Sequence, residues 1–263
     1  MDVLLATSWP LIVGGGFVIG FLVGITGVGA GSLTTPLLIS GAGVPPALAV
    51  GTDLLFAAIT KASAAWRHQK LGNVDWPILR WLAAGSIPGA LAVLAWLYFA
   101  QPDTHVLAIY VRETLAVALI VSALAIGLYP ILMRNKPRAD GTNHPPRILE
   151  TFGLGVVLGS LVALTSVGAG AIGVVVLTGL YPTLLARRTV GTDIVHAIPL
   201  TFVAGMGHAG LGNVDLTILA ALLLGSIPGI ALGSRVTGII PDWVLRIVLS
   251  LVLCWAAYAL WTK

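Results

Sequence analysis

Charge is what this sequence has least of. Only 9% of its 263 residues are Asp, Glu, Lys or Arg, against 57% hydrophobic, whereas a soluble domain carries roughly 25% charged residues. So little charge cannot cover a water-facing surface, and lipid must replace water over most of the exterior; the mean hydropathy of +1.00 agrees. Cysteine is nearly absent. Cys254 stands alone, which excludes an intramolecular disulfide and a two-cysteine metal site. Before the first apolar run stands Asp2, with no basic stretch and no small-residue cleavage site, so that run reads as a retained helix and not a secretory leader. The zinc-helix, serine-elbow and Walker-lysine motifs are missing too. No metal and no cofactor are expected, and the chain does not read as an enzyme. The net charge of +4 does not make a nucleic-acid face, because the basic residues sit at the ends of apolar runs and are densest at Arg134, Lys136, Arg138 and Arg147. That is the pattern of cytoplasmic loops.

What is there is apolar sequence in lengths that matter. Crossing ~30 Å of hydrocarbon takes about 20 residues. Runs of that order lie near 9–27, 47–66, 76–99 and 105–133, and again near 148–166, 189–206, 216–239 and 243–262. Two shorter pieces, 30–42 and 170–182, each follow a glycine-rich break. At ~1.5 Å rise per residue they are too short to cross and read as broken or re-entrant helices. The proline- and charge-rich segment 134–147 is a polar linker. The expected organisation is a transmembrane unit 1–133, a cytoplasmic linker 134–147 and a second unit 148–263.

The two units are copies. Val50-Gly51-Thr52-Asp53 returns as Val190-Gly191-Thr192-Asp193, and Leu71-Gly72-Asn73-Val74-Asp75 as Leu211-Gly212-Asn213-Val214-Asp215. Gly85-Ser86-Ile87-Pro88-Gly89 returns as Gly225-Ser226-Ile227-Pro228-Gly229, and His68 falls on His208, all at an offset of 140. The breaks match at 139, Thr26-Gly27-Val28-Gly29-Ala30-Gly31 over Thr165-Ser166-Val167-Gly168-Ala169-Gly170. Charge decides how the copies are oriented, since Lys and Arg collect on the cytoplasmic side. With an odd number of crossings per unit and the linker inside, 11 basic residues lie inside and Arg112 and Lys263 outside, with Lys61 within a span. An even number gives 8 against 5. The fold class expected is therefore all-α: a polytopic membrane protein of two inverted repeats, each of about four or five helices, with short broken or re-entrant helices at the breaks.

Such repeats with broken helices are characteristic of secondary transporters, whose site lies near the midplane. Non-helical backbone at that depth must be buried or line a cavity. Half-helices starting at Gly29–Ser32 and at Gly168–Gly170 would aim free N–H groups at an anion, with Thr26, Ser32, Thr165 and Ser166 as hydroxyl donors. The alternative is that the small residues only allow close helix packing. The substrate-binding candidates are thus Thr26, Gly27, Val28, Gly29, Ala30, Gly31, Ser32, Thr165, Ser166, Gly168, Ala169 and Gly170. Thr52-Asp53 and Thr192-Asp193 read as helix starts, with Thr as N-cap, although an intramembrane carboxylate also marks an ion or proton path. His196, three residues after Asp193, shares its helical face, so Asp53, Asp193 and His196 are the coupling or relay candidates. Asp75 and Asp215 read as interfacial caps, His68 and His208 as interfacial side chains, and Lys61 as a cation that snorkels or pairs with a carboxylate, with attraction of an anionic substrate into the pathway as the weaker alternative. Gly168-Ala169-Gly170-Ala171-Ile172-Gly173 matches the dinucleotide fingerprint, but it lies between membrane segments, where the strand–turn–helix context is missing.

With its glycine breaks, Gly-Thr-Asp motifs and Gly-Asn-Val-Asp turns, the chain resembles the sulfite exporter TauE/SafE family of membrane permeases over nearly its whole length apart from 134–147. Gly27-Val28-Gly29-Ala30-Gly31 followed by Pro36 is similar to the family's opening signature, which usually has a further glycine where Ala30 stands. The resemblance implies secondary transport of sulfite or organosulfonates such as sulfoacetate or taurine, in one direction or the other, in a bacterial or archaeal plasma membrane. The implied partners are a small anion and the bilayer, without nucleic acid; a homodimer is compatible with it. An anion channel on the same scaffold, or an intramembrane enzyme acting on lipid, are the alternatives. The channel differs by conductance without saturation, and the enzyme by needing an acid–base pair that only Asp193 with His196 offers.

Overall fold

The structure, a computed structural model, describes residues 2–26, 31–134, 147–236 and 241–262. All regular structure among them is helical, and eight of the helices are long and apolar enough to cross a membrane. The first half runs α1 (Asp2–Thr26), α2 (Gly31–Pro36) with a π-helical continuation Leu37–Gly41, α3 (Pro46–Lys70), α4 (Trp76–Ala100) and α5 (Thr104–Arg134). The second half repeats the order as α6 (Ile148–Thr165), α7 (Ile172–Leu180), α8 (Ala186–Gly210), α9 (Leu216–Val236) and α10 (Asp242–Trp261). Large apolar side chains such as Phe99, Leu149 and Leu216 face outward. In water such a surface would aggregate; in a bilayer it is the solvated surface.

The halves are interleaved. α1 packs on α9 and α6 on α4, while α3 packs on α8 and α5 on α10. Small residues at four-residue spacing make the first two contacts close. Along α1, Gly16, Gly20 and Gly24 lie against the backbone of Leu222, Ser226 and Ile230 in turn, so α1 and α9 run parallel. Gly155 and Gly159 of α6 meet Leu82 and Ser86 of α4 in the same sense. Lipid is as apolar as leucine, so close backbone approach is what favours helix association in the membrane.

α3 and α8 are tied at both ends. The Asp75 N–H, just past the end of α3, donates to Thr192 Oγ1 near the start of α8 at 2.8 Å. The Asp215 N–H, just past the end of α8, donates to Thr52 Oγ1 near the start of α3 at 3.0 Å. The two helices therefore run antiparallel. This corrects the reading of Thr52-Asp53 and Thr192-Asp193 as helix starts. Pro46 occupies the first turn of α3, where a missing N–H costs nothing, so α3 begins six residues before Thr52, and α8 begins at Ala186. Each threonine instead supplies the acceptor that the opposite half's turn lacks. Asp75 and Asp215 are caps as expected, accepting from the Ile78 and Ile218 N–H groups. Thr192→Val, which leaves the Asp75 N–H without a partner, is expected to destabilise the fold by about 1–3 kcal/mol. Thermal unfolding in detergent measures it, and an unchanged midpoint would show that the cross-tie contributes nothing.

Candidate substrate site

The chain leaves the helix at two matched places. α1 ends at Thr26 and α6 at Thr165, and each threonine returns its hydroxyl proton to its own helix, to Leu22 O and Leu161 O, both at 2.7 Å. Thr165 also accepts the Val167 N–H at 3.2 Å. These two hydroxyls, expected as substrate donors, close their helix ends. Gly27, Val28, Gly29 and Ala30 lie outside the described residues. In the second break Ser166 takes the left-handed conformation at φ 61°, and Gly168 and Gly170 follow at φ 126° and 115°. The two glycines occupy a region other residues enter only under strain. Gly168 packs against Leu158, Leu161 and Val162. The following helix begins at Ile172 and not at Gly170.

The breaks meet. Gly31, first residue of α2, sits against the Ser166 carbonyl oxygen, with room for no side chain between them. The Ser166 hydroxyl and Asp53 Oδ2 both lie beside that contact. Asp53 is fully buried, and Thr35 Oγ1 donates to its Oδ2 at 2.6 Å, with the hydroxyls of Thr34 and Ser166 alongside. Ser32 follows Gly31 in α2, half-buried.

The second half is built differently. Asp193 is also fully buried, and Gly173 of α7 lies directly against its Oδ1. At the offset of the breaks, 139, Gly173 and Val174 stand where Thr34 and Thr35 stand in the first half. Asp193 thus lacks the hydroxyls that hold Asp53, and it faces the Gly170 backbone without a hydrogen bond of ordinary geometry.

Near enough to feel both carboxylates is Lys61 of α3, 8% exposed. Its ammonium donates to Ala169 O at 3.5 Å and lies in the field of both Asp53 and Asp193. It closes a direct ion pair with neither; among the described residues the direct ion pair is Arg188 with Asp75 at 3.2 Å. Lys61 does not snorkel out. In the sequence it is a lone cation in an apolar helix, with no sign of which carboxylates it would lie near. Thr34 and Thr35 carry no motif; their signal in the sequence is the loss of both hydroxyls in the second copy.

His196 shares the Asp193 face of α8, as expected, but the two do not hydrogen-bond to each other. The histidine Nε2 instead meets Ser86 Oγ of α4 at 2.7 Å. His208, in the last turn of α8, is buried, with Nε2 at 2.9 Å from Ala163 O. His68 lies by Gly191, half-buried at the opposite end of the α3–α8 pair. Two clefts lead inward. One is lined by Thr26, Tyr129, Gly170, Asp193 and Arg246, the other by Gly24, Lys61, Ser63, Arg67 and Ser234. Arg67 near the end of α3, Tyr129 near the end of α5 and Arg246 near the start of α10 put both mouths at the linker end, where the basic residues collect.

Eight apolar spans around a buried, charged centre reached by clefts define a multi-pass membrane transporter. The chain belongs to the sulfite exporter TauE/SafE family, whose profile matches residues 12–260. It is similar to the "Probable membrane transporter protein YjnA" of Bacillus subtilis, 36% identical over 229 residues covering 84% of this chain and 87% of that protein. It is also similar to the "Probable membrane transporter protein MJ0441" of Methanocaldococcus jannaschii, 29% identical over 268 residues covering 93% and 92%. No solved structure matches the chain.

Proposed function

We propose that the protein is a secondary transporter of small sulfur-containing oxoanions or organosulfonates, which bind where the two breaks meet. The observation that carries this reading is the contact of Gly31 with Ser166, together with a nearly buried Lys61 ammonium on Ala169 O of the same break. An ammonium held away from water with one long hydrogen bond is expensive, and an anion is the ligand that would complete it. The antiparallel course of α3 and α8 supports inverted copies, and inversion supports alternating access by rocking of one repeat against the other. With the basic end in the cytoplasm, both clefts open inward. The driving force is an ion gradient.

Flux in proteoliposomes across sulfite, sulfate, taurine, isethionate and sulfoacetate tests the substrate class. Saturable movement of at least one sulfonate or sulfite is expected. Failure of all five, with the protein folded, would remove the class, and conductance without saturation would make the protein a channel.

A further inference from the structure

We propose that Lys61 is the cation that seats the substrate's oxoanion and that Asp193, not Asp53, takes up the proton that travels with it. This rests on the transport reading above. Its support is the asymmetry of the two halves. Asp53 has donors at one oxygen, Oδ2 accepting from Thr35 at 2.6 Å with Thr34 and Ser166 alongside, while its Oδ1 has none. At Asp193 those positions are Gly173 and Val174, and both carboxylate oxygens are without a hydrogen bond of ordinary geometry. What Asp193 lacks is a proton or an equivalent donor.

Lys61 offers three N–H donors and uses one, at 3.5 Å, on Ala169 O. It lies in the field of both carboxylates, so a monoanion arriving there competes with Asp193 for the same ammonium. One ammonium against two carboxylates leaves the ionised centre at 1 − 2 = −1. Seating a monoanion would make it −2, and a proton on Asp193 returns it to −1. In a low-dielectric centre that compensation favours loading both together. The proton comes from water in the linker-end cleft, which reaches Asp193, and leaves with the anion after the repeats rock.

The other groups facing Asp193 do not replace it. Tyr129 of α5 and Arg246 of α10 line the same cleft, and Arg246 stacks on the Tyr129 ring at 4.4 Å. Thr26 of α1 is turned onto Leu22 O. His196, on the same helix, has Nε2 on Ser86 of α4. The packed residue from α7 is Gly173, and from α3 come Lys61 and, beyond it, Asp53.

Two readouts on the purified full-length protein test this. Isethionate, whose charge is fixed, is titrated calorimetrically in two buffers of different ionisation enthalpy. Wild type is expected to take up about one proton per isethionate bound. Asp193→Asn is expected to bind without proton uptake, and Lys61→Met to lose the binding heat while eluting as folded protein. Without ligand, the infrared carbonyl band of a protonated carboxyl is followed from about pH 8 to about pH 5. The band that appears is expected to be missing in Asp193→Asn and present in Asp53→Asn. A band lost in Asp53→Asn but kept in Asp193→Asn, proton uptake unchanged in Asp193→Asn, or wild-type binding in Lys61→Met would overturn the proposal. If wild type gives no isethionate heat, the anion-seat half fails with the sulfonate reading, while the infrared band still decides the proton site.

Discussion

Gly173→Ala is expected to cut transport by roughly 10²-fold, the order seen when a positioned group is displaced by about 1 Å. Membrane insertion and folded yield should stay near wild type. The added methyl would occupy the place of Asp193 Oδ1. Asp193 is fully buried, with the Gly170 backbone on another side, so the carboxylate rotates away from Lys61 or α7 shifts outward. Either movement opens the arrangement in which ammonium, carboxylate and break face one another. Gly179→Ala is the control, in the same helix with nothing within 4 Å of the new methyl. Flux per folded protein separates the two variants. Wild-type flux in Gly173→Ala would mean that the Asp193 geometry does not matter for transport.

The second large effect falls on the scaffold. Gly85→Val and Gly225→Val, matched positions in the two halves, are each expected to remove most of the folded protein. A Cβ at Gly85 would coincide with the Phe152 carbonyl oxygen, and one at Gly225 with that of Val13. Both obstacles are backbone, which cannot rotate aside, so whole helices must part along the α4–α6 and α1–α9 seams. Overpacking typically costs about 1–3 kcal/mol when side chains can yield, and here they cannot. Gly153→Val, with open space around its Cβ, is expected to elute like wild type. Gel-filtration profiles of the purified variants read the difference. Equal loss in all three would show general glycine sensitivity and not seam packing.

Much of this was legible because membrane insertion is a strong filter on sequence. Span lengths and the short pieces after the breaks follow from hydropathy, and the helix positions differ from expectation by a few residues; the linker expected at 134–147 lies almost wholly outside the described residues. The repeat was readable because Asn, Asp and Pro recur in register. The local role of Thr52-Asp53 was not. Thr-Asp after glycine looks like a cap, and only the partner half shows that the threonine hydroxyls reach across to opposite turns. The bonds of Thr26 and Thr165 were hidden for a related reason: a hydroxyl at a helix end in lipid first satisfies its own i−4 carbonyl. The centre itself depends on contacts between residues more than 100 positions apart, such as Lys61 with Ala169. No local pattern encodes those. What the sequence did contain, and what only the structure gave meaning, is the change from Thr34-Thr35 to Gly173-Val174.

The most direct measurement of whether substrate binds where the breaks meet uses the chain's shortage of cysteine. With Cys254 replaced by serine, Ser166→Cys carries the single thiol of the protein. Its rate of modification by a small charged reagent is followed with and without sulfoacetate or isethionate. Saturable protection, at concentrations that also saturate transport, is the result expected. Undiminished modification under a substrate that the same preparation transports would put the binding site elsewhere.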